Sequence, residues 1–159
     1  MHRKHKTYIE DIAADVASAY GQVVTDIAEA DIAILRQSAP YEPRDREPLE
    51  SFFHAGDLRF QERDLARILG LMAKVPTIVD IYLDRPAVIP EIAERSAGLL
   101  ADFGASDAAV LDVISGCFRP SGKLFFVMPR SMEAVRQQKA DVPYDSDNPL
   151  FPFGYGLTY

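Results

Sequence analysis

The 159-residue sequence holds a single cysteine, Cys117, so no disulfide closes within it; with no histidine or cysteine spaced around it as metal ligands fall, a zinc site is excluded too. Long apolar runs are also lacking. None approaches the roughly 20 residues that cross a bilayer, which excludes a membrane-spanning helix. Positive charge is scarce: 17 Lys and Arg against 24 Asp and Glu leave a net charge of −7, which repels a polyanion and argues against a nucleic-acid partner. The one basic cluster, His2-Arg3-Lys4-His5-Lys6, resembles the n-region of a signal peptide, but Thr7-Tyr8-Ile9-Glu10-Asp11 follows where an unbroken apolar core would have to be. No signal peptide is read here, and a cytoplasmic location is favoured.

What is present suits a globular domain. The chain is 48% hydrophobic and 26% charged, and a chain of this length buries about 68–70% of the surface its unfolded form exposes. β-prone runs fall at 6–9, 22–25, 31–35, 77–83, 97–103 and 123–128. Helices are predicted at 12–20, 61–74, 90–96, 106–115 and 131–139, with a shorter helical turn capped by Thr25 or Asp26 running to 30. The clearest is 61–74, where Leu65, Ile68, Leu69 and Met72 recur on one face and Val75-Pro76 ends the helix, because proline disfavours helical backbone in the residue before it. The mostly apolar Thr77-Ile78-Val79-Asp80-Ile81-Tyr82-Leu83 that follows reads as a strand covered on both faces. Strands alternating with helices imply an α/β fold: a doubly wound, mostly parallel sheet with helices on both faces, in a flavodoxin-like arrangement. Ligands of such sheets bind at the carboxyl ends of the strands, where the loop after Leu35 and the turn Asp84-Arg85-Pro86 both fall.

That loop gathers the densest polar chemistry in the chain. Over 36–58 it carries Glu42 beside Tyr41 and between two prolines, Glu50 near Phe52 and Phe53, and Asp57 after Gly56; a loop so long in a compact domain is usually functional or disordered. Beyond Asp141 the chain turns rich in aromatics, proline and glycine. Its Leu150, Phe151, Phe153, Tyr155 and Leu157 are expected to bury against the domain or a partner, since several exposed aromatics in sequence make an aggregation patch.

The end of the chain, Pro149-Leu150-Phe151-Pro152-Phe153-Gly154-Tyr155-Gly156-Leu157-Thr158-Tyr159, resembles the closing signature of the C-terminal domain of glycoside hydrolase family 3, the β-glucosidases and their relatives. Pro120-Ser121-Gly122-Lys123-Leu124 with Pro129-Arg130-Ser131, the Arg85-Pro86 turn and the helix end Asp112-Val113-Ile114-Ser115-Gly116 are similar to further segments of that family. Pro40-Tyr41-Glu42 and Gly56-Asp57 bracket what resembles its acid/base loop. The resemblance implies that 1–159 forms one such domain, a three-layer α/β sandwich acting on a β-linked oligosaccharide or glucoside, with no cofactor and no metal. It also implies a partner, a (β/α)8 barrel in cis or in trans that carries an aspartate nucleophile. The sandwich loop of many members supplies the general acid/base glutamate, and retaining chemistry needs both carboxylates, about 5–5.5 Å apart.

The sequence departs from the family in four places, the first being that the family sets its glutamate one residue later, in Pro-Tyr-x-Glu. An insertion separates Pro40-Tyr41-Glu42 from Gly56-Asp57, so two glutamates compete: Glu42 by its Pro-Tyr context, and Glu50 by the nearby Phe52-Phe53, whose apolar surface would raise a carboxyl pKa. Glu42 is favoured. Phe125 stands where the family has proline, and the family's first strand would fall before Met1, leaving one sheet edge uncovered. Tyr41, His54 and Asp57 are candidates for substrate contact, each with a plainer reading. Tyr41, Phe52 and Phe53 either stack on a sugar or anchor the loop; His54 binds hydroxyls or is a structural hydrogen-bonder; Asp57 caps the helix near Gln61 or fixes the loop through backbone amides. Arg85 more naturally pairs with Asp84 or a nearby carbonyl, and Glu47 is read as a solvated charge. The rival to an enzyme domain is a non-catalytic carbohydrate- or protein-binding module, or the remnant of a split gene.

Overall fold

In the computed structural model, which describes residues 5–43, 53–139 and 141–158, five strands form one sheet with every pairing parallel. They are β1 (Lys6–Glu10), β2 (Gln22–Val24), β3 (Ile32–Ser38), β4 (Thr77–Tyr82) and β5 (Gly98–Asp102), in the order β2-β1-β3-β4-β5. This is the flavodoxin-like order that the alternation of strands and helices predicts.

Side-chain alternation along β3 divides the interior in two. Ala33 and Leu35 join Val79 and Ile81 of β4 against Ile68 of α2 (Glu62–Met72) and Ile92 of α3 (Pro90–Arg95). Ile34 points the other way, to Ile12, to Ala17 of α1 (Ala14–Ala17) and to Leu111 of α4 (Asp107–Ile114). Three layers result because both faces of β3 and β4 are apolar, and each fully buried side chain such as Ile68 contributes roughly 1.5–3 kcal/mol. Helix starts follow the sequence signals. Ser106 and Ser131 accept from the amides of Ala109 and Ala134 at the heads of α4 and α5 (Met132–Gln137), and Pro90 opens α3 where a missing N–H costs nothing.

Four expectations are corrected. The helix over 12–20 shrinks to the four residues of α1: Asp11 turns the chain at φ 55°, Ala13 N–H is drawn to Asp107 Oδ2 at 2.9 Å, and after Ala17 the bonds tighten to Ala19 N to Val16 O and Tyr20 N to Ala17 O. Strand β3 runs past Leu35 to Ser38, because Arg36, Gln37 and Ser38 stay in register with Asp80, Ile81 and Tyr82. Residues 123–128 are no strand. Leu124 and Met128 exchange backbone bonds with the tail at Tyr155, Gly154, Phe151 and Leu150, which leaves one isolated bridge, Met128 to Phe151. In the tail itself Leu150 and Phe151 pack on the core, but Phe153, Tyr155 and Leu157 are 51, 39 and 75% exposed. The exposed rings shelter one another instead, Phe151 against Tyr155 at 4.8 Å and Tyr144 against Phe153 at 4.5 Å between centroids.

Candidate active site

The loop leaves β3 through Ala39, whose amide donates to Tyr82 O at 2.8 Å and so ties the exit to β4. Its two described arms then close on each other. Glu42 N–H donates to Ala55 O at 2.8 Å in an antiparallel bridge, and the Asp57 amide donates to Glu42 Oε1 at 3.2 Å. Gly56 sits between at φ 88°, and a Cβ there would fall 2.6 Å from Glu42 Oε2; only glycine allows both the backbone turn and the carboxylate packed over it. The rings of Tyr41 and His54 stack at 3.7 Å and 7°. His54 Nδ1 in turn meets Asp84 Oδ2, just past β4, and Arg85 Nη2 donates to Gly56 O at 2.8 Å.

The structure thus brings Tyr41, Glu42, His54 and Asp57 together. Tyr41, Glu42 and His54 are exposed at the carboxyl edge of the sheet. Glu50, its neighbour Phe52 and the solvated-charge candidate Glu47 lie outside the described residues. Asp57 does not cap α2, whose N-cap is Gln61; it accepts from the Arg59 amide at 2.9 Å and from the Arg59 guanidinium at 2.6 Å. The Arg59 side chain, helped by its amide and opposed by partial burial, holds the Asp57 carboxyl down at about 2. Arg85 takes the neighbouring carbonyl, that of Gly56, rather than Asp84.

A second polar assembly lies on the α4 side of the same edge, and sequence reasoning missed it. Arg36, in the middle of a sheet, faces three aspartates. Its Nε stands 3.2 Å from Asp80 Oδ2, a charge contact rather than an aligned hydrogen bond; its Nη2 is 3.2 Å from Asp102 and its Nη1 2.6 Å from Asp107. Asp80 is fully buried. Burial, and after it the charge of Asp102, pushes its carboxyl up to about 7 against the pull of Arg36. Asp102 goes the other way: burial would raise it, but the amides of Gly104 and Ala105, with Asp80 and Arg36, bring it below the usual carboxylate value. The signal available was an acid, Asp80, inside an otherwise apolar strand.

Beside the Arg36 assembly a pocket of about 300 Å³ opens, lined by Asp11, Arg36, Gln37, Ser38 and Tyr82. It lies where β1 and β3 are neighbours and their crossovers depart in opposite directions, the switch point at which such sheets take ligands. No group of three or more His, Cys, Asp or Glu side chains that could hold a metal occurs among the described residues. Among its described residues the loop presents the exposed Glu42 carboxylate beside a stacked aromatic pair, a group able to give or take a proton.

Comparisons with known proteins agree with this architecture. The family model described as "Glycosyl hydrolase family 3 C-terminal domain" matches residues 2–159. The chain is 48% identical over 153 residues to "Beta-glucosidase C" of Emericella nidulans, covering 96% of this chain and 25% of that protein. It is 38% identical over 167 residues to "Periplasmic beta-glucosidase/beta-xylosidase" of Dickeya chrysanthemi, covering all of this chain and 25% of that one. The chain therefore spans about a quarter of the length of the curated relatives it matches. Among solved structures, the Trichoderma reesei beta-D-glucoside glucohydrolase superposes with a TM-score of 0.71 at 15% identity, over 100% of this chain and 33% of that one. At that identity the likeness concerns the fold alone.

Proposed function

Since the chain belongs to the glycosyl hydrolase family 3 C-terminal domain family, we propose that it works as the C-terminal part of a retaining β-glucosidase-type glycoside hydrolase, with Glu42 as general acid/base. The partner is a (β/α)8 barrel, joined in cis or meeting it in trans, and the substrate a sugar β-linked at a non-reducing end. Retaining hydrolysis divides into two steps. The barrel's aspartate attacks the anomeric carbon while protonated Glu42 gives its hydrogen to the departing oxygen. A water then attacks the glycosyl-enzyme, and Glu42, now a base, takes the water's proton as the aspartate leaves.

The convergence of Tyr41, Glu42, His54 and the Asp57 amide at the carboxyl edge of the sheet carries this reading. The amide bond to Oε1 orients Glu42 and leaves Oε2 for the leaving oxygen. The stacked Tyr41-His54 pair gives a flat rim for a sugar face, and Asp57, engaged by Arg59, acts through its backbone. The test is kinetic, on the barrel-bearing polypeptide with Glu42→Gln and, separately, Glu50→Gln. Glu42→Gln is expected to cut kcat/KM about 10²–10⁴-fold on substrates with a sugar leaving group, which needs protonation, and much less on a nitrophenyl glucoside, whose kcat nonetheless falls because the second step has lost its base. Loss confined to Glu50→Gln would transfer the role to Glu50.

A further inference from the structure

The contact between the loop and the exit of β4 has a chemical direction. Asp84 Oδ2 meets His54 Nδ1, and a carboxylate offers only lone pairs, so the hydrogen belongs to Nδ1. In the neutral imidazole Nε2 then keeps its lone pair and becomes an acceptor. The stack on Tyr41 holds the plane of the ring, while the Glu42 to Ala55 bridge and the Arg85 bond to Gly56 O hold the backbone. Other bonds therefore close the loop, and the distinctive contribution of the carboxylate is where it puts the proton.

We propose that Asp84 is a positioning residue: it locks His54 in the Nδ1–H tautomer, so that Nε2 accepts a hydroxyl of the β-glycoside bound beside Glu42. This rests on the reading of the loop as the sugar-facing wall. A leucine or lysine at position 84 could pack or charge the same spot but could not select this tautomer. Without it the ring favours Nε2–H, which donates, and the substrate hydroxyl would have to accept there instead of donating its own hydrogen.

Imidazole nitrogen NMR on the 159-residue chain in mildly alkaline buffer tests the tautomer directly. The expected result is a protonated Nδ1 and a bare Nε2, changing to a protonated Nε2 in Asp84→Leu with the Asp57 amide resonance little moved. A wild-type ring protonated at Nε2 overturns the proposal, and that measurement decides even if the variant does not fold. In the barrel-bearing polypeptide Asp84→Asn should lower kcat/KM about 10-fold, with partial recovery in Asp84→Glu, the size typical of groups that orient a histidine from behind. Unchanged kcat/KM overturns the substrate half. The correct tautomer combined with an inert Glu42→Gln would instead sink the catalytic reading of the loop, so the two failures are distinguishable.

Discussion

Two polar assemblies share the carboxyl edge of this sheet and are built on opposite principles. Around Arg36 the charges are buried or half-buried and mutually dependent: one guanidinium and three aspartates, with the Asp80 carboxyl pushed up to about 7 first by burial and then by the charge of Asp102. Around Glu42 the groups are exposed and held by backbone bonds, a ring stack and a glycine. Burial makes the first costly to disturb and fixes the ends of β3, β4 and β5. Exposure makes the second cheap to disturb and leaves its carboxylate free to react. On the proposed reading the two assemblies divide the work, the ion cluster tying β3, β4 and α4 together and the loop presenting an exposed acid.

Breaking the frame should have the largest effect. Arg36→Leu leaves Asp102 and Asp107 without their shared cation and should cost roughly 3 kcal/mol in urea unfolding, the penalty for orphaning buried charge. Next comes pH. The folded-state pKa of Asp80, about 7, lies above the roughly 3.9 of an unfolded aspartate, so its contribution is complete below about pH 4 and is lost as pH rises through 7. Asp102, lowered, contributes fully across that range and fades only in acid. Wild-type stability should therefore fall by on the order of 2 kcal/mol from pH 5 to 8 relative to Asp80→Asn, whose amide stays neutral, as thermal midpoints across that series would read out.

The loop should respond less. Gly56→Ala forces a side chain into left-handed backbone and against Glu42, and should cost about 1–2 kcal/mol while the Asp57 amide loses its bond to Oε1, visible as an upfield proton shift. Smallest of all is Arg59→Gln, which removes an exposed pair with Asp57 and should change stability by less than about 1 kcal/mol. Were Arg59→Gln as damaging as Arg36→Leu, the contrast between the two assemblies would disappear.

Much of the fold was legible because period and punctuation are local. Leu65, Ile68, Leu69 and Met72 announce α2, Ser106 and Ser131 announce their helices, and the apolar β4 announces a sheet covered on both sides. The motifs around Tyr41-Glu42 and Gly56-Asp57 marked both arms of the loop. Their closure was not legible, since the Glu42 to Ala55 bridge joins residues across an insertion. Arg36 reads as the first residue of a loop because its three partners come from β4, β5 and α4, and only the fold makes a half-buried arginine tolerable. In the tail, aromatic content predicts burial, whereas Phe153 and Tyr155 meet that need partly through ring-to-ring contact.

The central claim is that this chain supplies one carboxylate of a pair whose other member stands on a barrel. Incubating the 159-residue polypeptide alone with an aryl β-glucoside tests it most directly. No hydrolysis above background is the predicted result; turnover by the chain alone, abolished by Glu42→Gln, would contradict it.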